Sequence, residues 1–330
     1  MATLRWGILS TALIATQKVI PALRRCAGVE VTAIASRDGA RAAQAAAALG
    51  ITRAHGSYEA LLADSEVDVV YNPLPNPLHV PLTLAAARAG KHVLCEKPMA
   101  MNAAELRALR PYARRVHLQE AFMVRHHPQW LAVRDHVRAG LIGELRYAQM
   151  PFSYFNADPA NIRNRADLGG GAIYDIGCYA VAAGRWFFDA EPVRVAAMIA
   201  HDPAMGTDRC ASGVLDFGED RQMVFTVATQ AARWQRLLLV GTTGRIEIEV
   251  PVNASAERPC RHFVANAEGE RWIALPAVDQ YVLQAEAFTR LVREQPPDAS
   301  GLDDALAQAR VIDALFASAA SGRFEAVARD

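Results

Sequence analysis

The chain has 330 residues, 35 of them Lys or Arg and 35 Asp or Glu, for a formal net charge of +0. That length exceeds what a single hydrophobic core usually serves, so two domains are expected. The balanced charge leaves no field to gather nucleic acid or an anionic membrane surface, which makes a small molecule the expected partner.

Taken in order, the first third alternates short apolar runs with helix-period segments. Leu4 to Leu9, Val29 to Ser36, Val67 to Tyr71, His92 to Glu96 and Val116 to Ala121 read as strands. Between them Ala12 to Arg25, Gly39 to Leu49, Leu78 to Ala89 and Ala103 to Arg115 read as helices, with Asp38 and Asn102 as N-caps and Gly28, Gly50 and Gly90 as stops. Such alternation predicts a doubly wound parallel sheet over residues 1–122.

From residue 123 to 330 the pattern changes to longer alternating stretches: Leu145 to Phe155, Val193 to Ala200, Ser212 to Phe217, Gln222 to Ala231, Arg236 to Val240 and Arg245 to Val250. Two helices close the chain, Gln280 to Val292 and Leu302 to Ala320, separated by Pro296-Pro297. This predicts an α+β domain with a large, mostly antiparallel sheet that binds substrate. Apolar groups on both faces of that sheet, such as Val224 and Ala228 against Phe225 and Val227, predict a homo-oligomer, a homodimer or a tetramer.

Five cysteines without a C-x-x-C pair argue for buried thiols in a reducing, cytoplasmic setting. No apolar stretch approaches the ~20 residues of a membrane span, and no secretory leader pattern opens the chain. The nine histidines show no H-E-x-x-H or H-x-H spacing, so no metal is expected.

A dinucleotide site needs a tight turn after the first strand, where backbone N–H groups and a helix N-terminus meet the pyrophosphate. Gly7-Ile8-Leu9-Ser10-Thr11-Ala12 offers the first glycine and a small last residue, with Leu9 at the second glycine position and hydroxyls on Ser10 and Thr11. The second strand ends in Ser36-Arg37, which suits a 2′-phosphate and favours NADP(H). Asp38 would instead accept from a ribose hydroxyl, leaving NAD(H) as the alternative. Asn72-Pro73-Leu74-Pro75-Asn76-Pro77-Leu78-His79 is a proline-stiffened loop that suits a wall against a flat ring.

Hydride transfer also needs a proton donor or acceptor beside the reacting oxygen. Lys97, in Glu96-Lys97-Pro98, follows the strand His92 to Glu96 at its carboxyl end, with Glu96 as a structural partner. In Gly169-Gly170-Gly171-Ala172-Ile173-Tyr174-Asp175-Ile176-Gly177-Cys178-Tyr179, Asp175 and Tyr179 are four apart and share a helix face. A phenol of pKa about 10 becomes a usable base when an ammonium lowers it by roughly 1 to 3 units. Tyr179 is therefore read as the acid/base, Lys97 as its electrostatic helper and Asp175 as an anchor for a neighbouring hydroxyl.

These two segments and the opening Trp6 to Ala15 resemble the family of glucose–fructose oxidoreductase and inositol dehydrogenase. The likeness is greatest to its NADP-dependent xylose dehydrogenase and dimeric dihydrodiol dehydrogenase branch, from about Leu4 to about Glu191. The resemblance implies an oxidoreductase acting on a sugar or polyol. It places Pro73, Asn76, His79 and Glu96 around the nicotinamide end, and implies a Lys97-Pro98 bond that is often cis. It also makes Arg125, in Glu120 to Pro128, and Arg163, in Asp158 to Arg163, substrate contacts. The rival readings are a non-catalytic sugar or nucleotide sensor on the same scaffold and a trans-dihydrodiol dehydrogenase.

Overall fold

The structure is a computed structural model that describes residues 3–329. By contacts it divides into two compact units: the described residues through Met123 with Gln280–Leu306, and Val124–Asp279 with the described residues from Ala307 on.

In the first unit six parallel strands, β1 (Leu4–Leu9), β2 (Val29–Ala35), β3 (Arg53–His55), β4 (Val69–Asn72), β5 (His92–Cys95) and β6 (Leu118–Glu120), lie in the order β3-β2-β1-β4-β5-β6. The order reverses between β1 and β4, the crevice where open α/β sheets bind ligands at their strands' carboxyl ends. The connecting helices include α1 (Ile20–Leu23), α2 (Gly39–Leu49), α3 (Tyr58–Leu62), α4 (His79–Arg88) and α5 (Ala103–Leu106).

The expected caps are present. Asp38 Oδ1 accepts from the Ala40 and Arg41 amides at 2.9 and 3.2 Å, and Asn102 Oδ1 from the Glu105 amide at 3.1 Å. Gly28, Gly50 and Gly90 carry the positive φ of helix stops.

The structure departs from the sequence reading in several places. The helix expected over Ala12 to Arg25 spans residues 13–23 and contains a π turn at Ala15–Val19. The one expected over Ala103 to Arg115 gives way to 3-10 geometry at Arg107–Tyr112, where Pro111 cannot donate to an α-helical ladder. Strand β3 and helix α3 were not expected; β3 is three residues long with a polar sequence and lies at the sheet edge.

In the second unit α6 (Pro128–Arg138) precedes β7 (Leu145–Phe155) and α7 (Cys178–Phe188). The strands that follow are β8 (Arg194–His201), β9 (Asp208–Gly218), β10 (Arg221–Ala228), β11 (Gln230–Gln235), β12 (Leu237–Gly241), β13 (Gly244–Ile248), β14 (Cys260–Asn266) and β15 (Gly269–Leu275). The chain closes with α8 (Gln280–Glu294), α9 (Ser300–Ser321) and β16 (Glu325–Ala326).

Ten strands form one sheet in the order β15-β14-β13-β12-β7-β10-β9-β8-β16, with β11 on β7. Every pair is antiparallel except β10 with β7. The single strand expected over Gln222 to Ala231 is thus split, since β10 and β11 pair with β7 in opposite directions. The β14–β15 hairpin and β16 were not expected.

The expected boundary at residue 122/123 needs one correction. Helix α8 packs on the first unit, where Phe288 meets Trp6 edge-on with ring centroids 5.7 Å apart, and both side chains are fully buried. Its apolar stripe of Ala285 and Phe288 belongs to the same core as Ile8, Ile34 and Tyr71. Among the described residues no helix is long and apolar enough to cross a membrane.

Candidate active site

Each unit contributes its own group of predicted residues. In the first, β1, β2, β4 and β5 end in register: the Ser10 amide donates to Ala35 O at 2.9 Å and the Glu96 amide to Asn72 O at 2.9 Å. Ser10, Thr11, Ala12, Ser36, Arg37, Pro73, Asn76, Glu96 and Lys97 therefore all follow the carboxyl ends of parallel strands, the ligand-binding end of such a sheet.

Gly7 is not in the turn but inside β1, where a Cβ would come within 2.8 Å of Leu61 and 2.9 Å of Val67. Its lack of a side chain serves packing. Nor does the turn need a glycine at Leu9, which is fully buried at the strand end. The positive φ falls one residue later, on Ser10 at 87°, whose Oγ accepts from the Ala12 amide at 3.2 Å. Residues 13–23 then present the amino end of a helix.

At the end of β2 the Ser36 hydroxyl accepts from the Asp38 amide at 3.2 Å, while Asp38 caps α2. Arg37 and Arg41 are exposed there and both act electrostatically on the Tyr58 phenol, which burial pushes above its ordinary pKa against their pull. Two cations and a helix-capping carboxylate fit a dinucleotide carrying a 2′-phosphate better than one with a free 2′-hydroxyl. Tyr58 was missed from sequence because α3 was missed, whereas Arg41 lies in the first turn of the expected α2 and read as an ordinary surface charge.

The Lys97 loop is pinned from several sides. Its bond to Pro98 is cis. His79, 1% exposed, places Nδ1 2.7 Å from Pro98 O and Nε2 2.6 Å from Leu74 O. His79 thus ties the proline loop to the lysine loop; burial, aided by nearby Lys97, pushes its pKa down to about 4. The Met99 amide donates to buried Glu120 at 2.7 Å, and the Tyr71 hydroxyl to Glu96 at 2.7 Å.

In the second unit the glycine segment leads into a π turn at Ile173–Gly177 and then α7, so Asp175 and Tyr179 lie on consecutive turns. Asp175 Oδ2 accepts from the Tyr154 hydroxyl at 2.6 Å and from Arg163 Nε at 3.1 Å. The Asp175 carboxylate, with Tyr154 and Tyr179 adding to it, holds the Arg163 guanidinium above its ordinary pKa. Arg163, Asp175, Tyr154 and Tyr179 thus form one polar group. Tyr179 itself is 5% exposed, against the Phe152 ring at 6.2 Å.

Tyr154 was missed because, within β7, it reads as an ordinary strand aromatic. The Arg163 loop is ordered by the amide of Asn164, which donates to Asn156 O and Asp158 O at 3.2 and 2.8 Å. Arg125 lies beside the Trp186 ring that Arg134 also covers.

Comparison with known proteins adds four findings. Residues 4–126 match the oxidoreductase family with NAD-binding Rossmann fold, and residues 130–247 match the GFO/IDH/MocA C-terminal domain. The chain is 44% identical to an uncharacterized oxidoreductase of Rhizobium meliloti over 99% of this chain and 100% of the other. It is 38% identical to D-xylose 1-dehydrogenase (NADP(+)) 2 of Haloferax volcanii over 96% and 98%. Its structure matches KijD10, a 3-ketoreductase from Actinomadura kijaniata solved with NADP and TDP-benzene, with TM-score 0.90, 32% identity and 96% and 98% coverage.

Proposed function

The chain belongs to the GFO/IDH/MocA oxidoreductase family, and on that basis we propose that it moves a hydride between NADP(H) and a hydroxyl or carbonyl of a sugar or related polyol. The observation that carries this is the Arg163–Asp175–Tyr154–Tyr179 group: a carboxylate hydrogen-bonded by Tyr154 and Arg163, with the Tyr179 phenol in electrostatic reach of that arginine. When bound, the nicotinamide supplies or takes the hydride.

The rest is done by this chain's residues. Tyr179 gives a proton to the carbonyl oxygen in reduction and takes it from the hydroxyl in oxidation. Lys97 supplies positive charge to the oxygen on which charge develops. Asp175, its carboxylate set by Tyr154 and Arg163, accepts from a neighbouring substrate hydroxyl and fixes which carbon reacts. Arg163 stands in electrostatic reach of Tyr179 and assists the ionised phenol. An NADP-linked xylose dehydrogenase among the relatives supports an aldose as substrate and NADP as cofactor.

The cofactor preference rests on Arg37 and Arg41. Replacing both by Ala should weaken NADPH binding by about tenfold to a hundredfold, the worth of one or two charge-assisted hydrogen bonds, and leave NADH within about twofold. Fluorescence titration of the two nucleotides reads this directly. Equal losses for both would place the arginines elsewhere.

The open face of the ten-stranded sheet supports a homodimer. Met198, Trp234 and Trp272, on β8, β11 and β15, are 74%, 53% and 47% exposed. Light scattering at micromolar concentration should give twice the 35.8 kDa chain mass; a monomer would remove the proposal. The five thiols, none in a disulfide, accord with the cytoplasm.

A further inference from the structure

We propose that Asp208 is a positioning residue for Asp175 and Tyr179: its buried side chain holds the start of the helical segment that carries both. This rests on the catalytic reading of those two residues but is argued from different atoms.

Asp208 is the first residue of β9 and is 4% exposed. Its Oδ2 accepts from the Ile173 amide at 2.6 Å. That is the first amide of the segment, one of those a helix leaves without an internal partner. The backbone has been cleared to admit the carboxylate. A Cβ on Gly171 would lie 1.7 Å from Asp208 Oδ1, and Gly171 adopts φ +125°. Gly170 is equally constrained on its other flank, where a Cβ would lie 2.5 Å from Arg163 O. One carboxylate and two glycines therefore set where the π turn begins and, through it, where Asp175 and Tyr179 face.

The hold depends on pH in a definite sense. Burial pushes Asp208 up to about 6, against the amides and against His201, its register partner on β8. The other charged groups nearby are Arg209 beside it, Asp202 in the preceding turn, and Arg163 and Asp175 on the segments flanking Gly171. A group whose pKa is higher when the segment is closed than when it is open binds more protons closed, so acid favours closure and ionisation opposes it. The segment should be tighter at about pH 5 than at about pH 7.5.

Hydrogen–deuterium exchange of residues 169–182 in the full chain, corrected for intrinsic rates, tests this without a substrate. In the wild type, exchange there should be slower at about pH 5 than at about pH 7.5. Asp208→Asn keeps an acceptor for Ile173 and removes the charge, so it should abolish that pH difference. Asp208→Ala should speed exchange in the segment about tenfold, the factor that loss of a helix cap implies, and leave β1 and β4 unchanged.

With the sugar that the enzyme turns over, Asp208→Ala should lower kcat and leave NADPH affinity unchanged, and Asp208→Asn should restore most of the loss. Asp208→Ala exchanging like the wild type would overturn the proposal. That outcome differs from failure of the catalytic reading, in which Tyr179→Phe would retain turnover while the exchange results stood.

Discussion

Tyr179→Phe and Lys97→Met should each lower kcat by about 10²- to 10⁴-fold, the usual worth of a positioned general acid or base, with NADPH affinity changed by less than about threefold. The two fail for different reasons. Phenylalanine keeps the ring against Phe152 and removes the hydroxyl that carries the proton. Methionine keeps the length of the lysine side chain and removes its charge, while the loop stays pinned by His79 to Pro98 O and by Glu120 to the Met99 amide.

If the two serve one proton transfer, the double variant should be little worse than the worse single one, whereas full additivity would separate their roles. Single-turnover kinetics separate the chemical step from nucleotide release. Turnover within tenfold of wild type in both single variants would remove Tyr179 and Lys97 from the chemistry.

Gly171→Ala is the second large effect, and it acts through position. At φ +125° a side chain is strained by about 1 to 3 kcal/mol whatever surrounds it. The added methyl must also displace Asp208 Oδ1, removing the cap on Ile173 for about 1 kcal/mol more. The expected loss of stability, about 2 to 4 kcal/mol, is read from the denaturation midpoint. Turnover should fall with it even where the protein remains folded, since Asp175 and Tyr179 follow four and eight residues later in sequence. Placing Gly171→Ala in the Asp208→Ala background relieves the clash but leaves the strain, so the two effects should be less than additive. Full additivity would mean that Gly171 and Asp208 do not act on the same segment.

Much of this was legible in the sequence, and what was not has local causes. The parallel sheet followed from apolar runs spaced by helix-period segments, and Asp38, Asn102 and the stop glycines marked helix ends by their own chemistry. Strand β3 escaped because Arg53–His55 has no apolar pattern, and α3 went with it, hiding the Tyr58 partner of Arg37 and Arg41. The β14–β15 hairpin had a signal that was passed over, the turn from Asn266 to Gly269 between alternating segments. The nucleotide turn departs from the glycine pattern at Leu9, and its positive φ falls instead on Ser10, a position that spacing alone does not mark. Tyr154 and Asp208 lie 21 and 33 residues from Asp175, so only the fold discloses their roles.

The central claim is that this chain passes a hydride between NADP(H) and a sugar-like hydroxyl or carbonyl. The most direct measurement follows nicotinamide absorbance of the purified protein with NADP⁺ against pentoses and hexoses, and with NADPH against keto-sugars. Turnover of at least one of them, faster with the phosphorylated cofactor and lost in Tyr179→Phe, is the result predicted here. Tight NADPH binding with no turnover of any sugar in either direction would contradict it and favour a sensor built on the same scaffold.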